Sequence, residues 1–155
     1  MSKRTPKTVP LFHTPIIETH CHLDYLAQDT IADELQAITA AGVERIVTIA
    51  VSADNLTTVL DLCHQYENIW GTQGIHPHEA SSWNPSVAQA VAQGASHSKV
   101  VAIGEIGLDY YYEHASPQSQ IAAFEAQLSL AAERDLPVVI HTREADADTL
   151  SLIHI

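Results

Sequence analysis

The chain has 155 residues, 46% of them apolar and 17% charged, which is the composition of one globular domain and not of a disordered chain. Nineteen acidic residues face seven basic ones, a net charge of −12, and Lys3, Arg4 and Lys7 take three of the basic places before the chain has properly begun. This argues against a DNA binder that neutralises phosphates with lysine and arginine; if nucleic acid is a ligand, a bound metal has to meet its charge. The two cysteines, Cys21 and Cys63, are too few for a disulfide scaffold, so a reducing, cytoplasmic setting is expected. Pro10, His13 and Pro15 interrupt any signal-peptide core. No apolar run approaches the roughly 18 residues of a membrane span, so no membrane partner is expected.

Residues 1–15 carry three prolines and no periodicity, and are expected to form a flexible leader. Ile16 to Leu23 then reads as a short first strand. Thr30 opens a helix, with Asp33 as a weak capping box, an apolar stripe of Ile31, Leu35 and Ile38, and Gly42 just past its end. Arg45 to Val51 is β-branched and fits a buried strand. Leu56, Val59, Leu60 and Cys63 recur at the spacing of one helix face. Ile69 to Ile75 is a third strand. Asn84-Pro85 starts a helix that Gly94 can end. Val100 to Ile106 is a fourth strand. Ser116-Pro117 starts the longest helix, with Ile121, Phe124, Leu128 and Ala131 on one face. Pro137 to His141 is a fifth strand, and Asp146 opens a fifth helix.

Five strands thus alternate with four full helices. The strands are continuous apolar runs, which indicates a parallel sheet covered by helices. Two architectures fit: a doubly wound open sheet, or part of a (β/α)8 barrel, whose whole takes about 250 residues. No Gly-rich phosphate loop follows the first strand, which disfavours a nucleotide-binding doubly wound fold.

Polar residues break the strands where a core strand should have none. His20 and His22 are two apart and lie on one face of a strand, where two imidazoles can share one metal ion; the alternative is a pair of ordinary strand-end histidines. Glu105 interrupts an apolar strand, where an ionised carboxylate is costly unless paired or metal-bound; the alternative is an ion pair with Arg45 or Lys99. His141 ends the fifth strand, and alone would be a hydrogen-bonded, half-buried histidine. All four sit at or near C-terminal strand ends, the rim at which parallel α/β folds bind ligands. His76 and His78 flank Pro77 on the same rim, available to substrate or metal, or simply polar loop residues. Arg143 is a candidate phosphate clamp, or a partner for Glu144. A tyrosine from Tyr110 to Tyr112 can stack on a base, although loop tyrosines are common. Cys21 and Cys63 read as packing residues.

Glu18-Thr19-His20-Cys21-His22-Leu23-Asp24, Gly74-Ile75-His76-Pro77-His78-Glu79-Ala80, Gly104-Glu105-Ile106-Gly107-Leu108-Asp109-Tyr110-Tyr111 and Val139-Ile140-His141-Thr142-Arg143-Glu144-Ala145 resemble, in order, signature blocks of the TatD family of metal-dependent hydrolases and DNases. The resemblance implies a TIM-type, amidohydrolase-like (β/α)8 barrel, of which residues 16–155 would be the N-terminal part. It implies two divalent metal ions (Mg²⁺, Mn²⁺ or Zn²⁺) at the rim: His20 and His22 bind one, His141 the other, and Glu105 bridges. It implies Glu105 and His76 as catalytic residues, and places His76, Arg143 and Tyr110 near a DNA substrate, single-stranded or at its 3′ ends. Hydrolysis would follow from activation of water by the metals.

Two departures from the family pattern stand out. Glu18 occupies a place usually held by Asp. The family also has a metal-binding His and a catalytic Asp beyond Ile155, so the 155-residue chain is expected to be poorly soluble and impaired as a nuclease. Two other functions stay in view: a non-catalytic metal-binding or interaction protein, and a hydrolase of an aminoacyl ester.

Overall fold

The computed structural model describes residues 14–27 and 29–154; most of the expected leader lies outside them. In chain order the elements are β1 (Ile16–Cys21), α1 (Ile31–Ala40), β2 (Val43–Thr48), α2 (Leu56–Gln65), β3 (Ile69–Gln73), α3 (Pro85–Gly94), β4 (Val100–Asp109), α4 (Pro117–Arg134), β5 (Val138–Arg143) and α5 (Asp146–Ile153). Short 3₁₀ segments follow β1 (Leu23–Tyr25) and β3 (Pro77–Ser82).

The strands form one parallel sheet in the order β1-β2-β3-β4-β5. The order never reverses, so there is no switch point of the doubly wound kind. Right-handed crossovers between successive neighbours put the helices on one face of the sheet. This is the wall of a curled half-barrel, five strands of a (β/α)8 design, and it settles the choice that composition left open. The core lies between sheet and helices, where Ile46, Ile69, Ile103, Ile106, Val59 and Phe124 are fully buried.

Local chemistry explains the element boundaries. Asn84 caps α3 by accepting from Ser86 and Val87 N–H, with Pro85 at the first helical position, as the Asn-Pro pair predicts. Ser116 likewise caps α4 through Ser119 N–H. The expected capping box at Thr30 does not form; its hydroxyl donates to Ala27 O instead. Gly42 takes φ 98° just past α1, a turn that favours glycine. The second strand is shifted from its expected span. It begins at Val43 and ends at Thr48, because Ile49, Ala50 and Val51 leave the ladder to form a rim loop. The buried face of α2 is Leu56, Val59, Leu62 and Cys63, with Leu60 only half-buried.

Candidate metal centre

β1 ends at the rim with His20 and His22. His22 Nδ1 lies 3.2 Å from the Ile49 carbonyl. A carbonyl only accepts, so Nδ1 carries the proton and the Nε2 lone pair is left free, the arrangement a metal-binding histidine needs. His20 Nε2 lies 3.4 Å from Glu105 Oε2. Glu18 does not reach a ring. Its Oε1 accepts from the His20 backbone N–H at 2.9 Å.

Glu105 stands in the middle of β4, 8% exposed, and its N–H donates to the Ala50 carbonyl. The pairing with Arg45 or Lys99 is not made. Arg45 lies over the Trp70 ring, and Lys99 Nζ donates to the carbonyls of Cys63, Tyr66 and Glu67. The carboxylate turns one oxygen to each side: Oε2 to His20 and Oε1 to His141 Nδ1 at 3.2 Å. Burial pushes its pKa up. The hydrogen bond from His141 and the charges of His76 and His20 outweigh this and hold it below the ordinary carboxylate value.

Two ligand groups therefore share Glu105. One is His20, His22 and Glu105; the other is His76, Glu105 and His141; within each, the ligand atoms lie within 4.8 Å of one another. Imidazole nitrogen and carboxylate oxygen suit a divalent ion, so the donor set fits the metal that the resemblance implies. His141 is bracketed by acids, Nδ1 on Glu105 and Nε2 on Asp109 Oδ2 at 3.0 Å. These bonds raise its pKa.

His76 differs. Its Nδ1 accepts from His78 N–H at 3.1 Å, so the neutral ring carries its proton on Nε2. Burial first, then the neighbouring His141 charge, pushes its pKa down to about 4. The ring is thus a neutral donor, which suits contact with substrate better than metal ligation.

Asp109, at the end of β4, carries a role that the sequence did not announce. It is fully buried. Oδ2 receives His78 Nε2 at 2.9 Å and His141 Nε2 at 3.0 Å. Oδ1 accepts the N–H groups of Tyr111 and Tyr112. Burial pushes its carboxyl up, but these four hydrogen bonds hold it well below the ordinary range. Asp109 so fixes the two histidines that flank the centre.

The rim encloses a cleft of about 300 Å³ floored by His22, His76, Glu105 and His141, with Tyr25, Tyr112 and Arg143 also in its lining. Arg143 is not paired with Glu144 among the described residues; its guanidinium lies over the rings of Tyr111 (4.3 Å) and Tyr112 (4.5 Å). Tyr25, 71% exposed, stacks on His22. Tyr110 is not among the residues lining the cleft. It packs against the core, and its hydroxyl donates to Asp148 of α5 at 2.8 Å. Tyr112 stands where the sequence pointed to Tyr110. Cys21 and Cys63 are free thiols; Cys63 is part of the core and Cys21, between the two histidines, packs against it with its thiol on the Val47 carbonyl. Among the described residues, no helix is long and apolar enough to cross a membrane.

The model of the family described as TatD related DNase matches residues 17–155. The 3′-5′ ssDNA/RNA exonuclease TatD of Klebsiella pneumoniae is 42% identical over 114 residues, which cover 74% of this chain and 43% of that one. An uncharacterized metal-dependent hydrolase of Bacillus subtilis, YabD, is 32% identical over 139 residues, 89% of this chain and 54% of its own. The chain thus spans about half the length of the curated relatives it matches. Among solved structures, the TatD homologue YjjV of Escherichia coli superposes with a TM-score of 0.75 at 32% identity, covering 87% of this chain and 53% of that chain. An uncharacterized amidohydrolase of Saccharomyces cerevisiae shares the fold alone, at 20% identity and a TM-score of 0.66. With its blocks in order, its fold matched and the family model covering nearly all of it, the chain belongs to the TatD related DNase family.

Proposed function

We propose that this chain serves a TatD-type hydrolase that takes two divalent ions at its rim and cleaves DNA phosphodiester bonds from the 3′ ends of single strands, in the cytoplasm. One observation carries the proposal: a single buried carboxylate, Glu105, faces imidazoles on both sides of a cleft at the C-terminal ends of parallel strands. His20, His22 and Glu105 would hold one ion, and Glu105 and His141 the other. Bound divalent ions at such a site polarise a phosphoryl oxygen and lower the pKa of water towards neutral. They also supply the positive field that a chain of net charge −12 lacks.

The chain's own residues do the rest. His76, a neutral donor, offers its Nε2–H to a phosphoryl oxygen. Arg143, held between the rings of Tyr111 and Tyr112, offers a fork of N–H donors to a flanking phosphate. Tyr25 and Tyr112, 71% and 49% exposed at the cleft, take unpaired bases, a means of preferring single strands.

The test begins with metal titration of the purified chain, for which two ions are expected, and Glu105→Gln should remove both. A 5′-labelled single-stranded oligonucleotide, shortened only with metal, supports the nuclease. Turnover of an aminoacyl ester without any effect on DNA would replace it with the other hydrolase. Metal uptake with neither would leave a metal-binding module.

A further inference from the structure

α4 buries two glutamines on the face that meets the sheet. Gln120 and Gln127 are 0% and 1% exposed, seven residues apart, and so lie two turns apart on one face. Each side-chain amide pairs with the backbone of one rim residue as a strand neighbour would. Gln127 Oε1 accepts the Ile75 N–H at 2.7 Å, and its Nε2 donates to the Ile75 carbonyl at 3.2 Å. Gln120 Oε1 accepts the Asp109 N–H at 2.7 Å, and its Nε2 donates to the Asp109 carbonyl at 3.0 Å. The second N–H of each amide is also used, on Ala123 O and Ala115 O respectively.

The residues clamped are the points at which β3 and β4 stop being sheet. β3 ends at Gln73, so Ile75 has left the ladder, and His76 follows it. Asp109 is the last residue of β4 and anchors His78 and His141. Where the ladder runs out, the two glutamines replace it.

We propose that Gln120 and Gln127 are positioning residues of the cleft, Gln120 on its metal side and Gln127 on its substrate side. Gln127 sets the backbone that carries His76, and Gln120 sets the carboxylate that orients His78 and His141. This rests on the metal-centre reading above. The molecule supplies its own control in Gln73, equally buried, whose amide donates to the Leu56 and Thr72 carbonyls and touches no ligand group.

The experiment compares Gln127→Met, Gln120→Met and Gln73→Met, which keep shape and lose the amide. Two readouts are taken at a temperature where each variant is folded. The first is the imidazole ¹⁵N spectrum of the metal-free protein. The second is Co²⁺ affinity and visible absorption. All three variants should melt lower. Only the first two should alter ring signals, Gln127→Met that of His76 and Gln120→Met those of His78 and His141, and Gln120→Met alone should weaken Co²⁺, by about tenfold to a hundredfold, as outer partners of metal ligands do. Equal behaviour of all three overturns the proposal.

Where a methionine variant does not fold, amide exchange of the unmodified chain decides. In the unmodified chain, the Ile75 and Asp109 amides should exchange as slowly as those of the sheet, and fast exchange would overturn the clamp without any variant. If the unmodified chain takes up no Co²⁺, the metal-centre reading fails, and the ring spectra and exchange rates still decide whether the glutamines position the histidines.

Discussion

The two walls of the cleft are built differently. The β1 wall is an edge strand with an irregular register against β2, exposed over most of its length. His20 has 44% of its side chain exposed, and meets the rest of the centre at Glu105 and edge-on at the His22 ring. The β4–β5 wall rests on β4, which is buried along nearly its whole length. Asp109 is fully enclosed, His141 is bonded at both nitrogens, and α4 holds the backbone behind them. One wall is held by its own hydrogen bonds; the other joins it at Glu105.

The comparison can be broken most sharply at Glu105, the residue common to both walls. Glu105→Gln should cost at least about a hundredfold in metal affinity, more than outer-partner losses of about 10–100-fold, as read by calorimetric titration. On the fixed wall, Asp109→Asn should weaken metal binding about 10–100-fold. It should also lower stability by about 1–3 kcal/mol, because buried donors lose their acceptor. Its pH signature has a definite sign. Asp109 titrates below its unfolded value near 4, so its contribution is complete above that pH and disappears as pH falls. Acid melts of chelated protein should show the native chain and Asp109→Asn converging below about pH 4.

On the open wall, His20→Asn should reduce metal affinity yet leave the metal-free melting temperature nearly unchanged, within about 0.5 kcal/mol, as for other exposed sites. A large loss of stability there would dissolve the distinction. Tyr112→Ala should weaken binding of single-stranded DNA by the ~1–3 kcal/mol of one base stack. Tyr110→Phe should have the smallest effect, at most about 1 kcal/mol of stability for the bond to Asp148, and none on DNA.

Much of this was legible in the chain. His20, His22, Glu105 and His141 announced themselves by interrupting apolar strands, and strict alternation gave the parallel α/β wall. What stayed hidden had physical reasons. Asp109 follows Gly107-Leu108 among loop-like tyrosines, so nothing marks it as buried until the histidines close over it. Tyr110 and Tyr112 are chemically alike, and only the path of the chain past β4 decides which one reaches the cleft. The run Ile49-Ala50-Val51 looks like strand because it is apolar and well buried. Its carbonyls serve the site instead, receiving His22 Nδ1–H, Glu105 N–H and His76 N–H in turn. For Gln120 and Gln127 a signal was present, since two glutamines fall on the helix face that also carries Phe124 and Ala131. A polar residue at a core position of that kind points to a buried partner.

The order of the sheet also bears on how the chain is made. Ile16 pairs with Val43, Ile46 with Ile69, Gly71 with Val100, and Ile103 with Val138. As it is synthesised, each strand meets the one made just before it, across a single helix. Ribosomes release about 5–20 residues per second, which is slow beside the microseconds of elementary folding steps. Each new strand therefore emerges beside a template that is already paired, and the wall can grow from its first edge in the direction of translation.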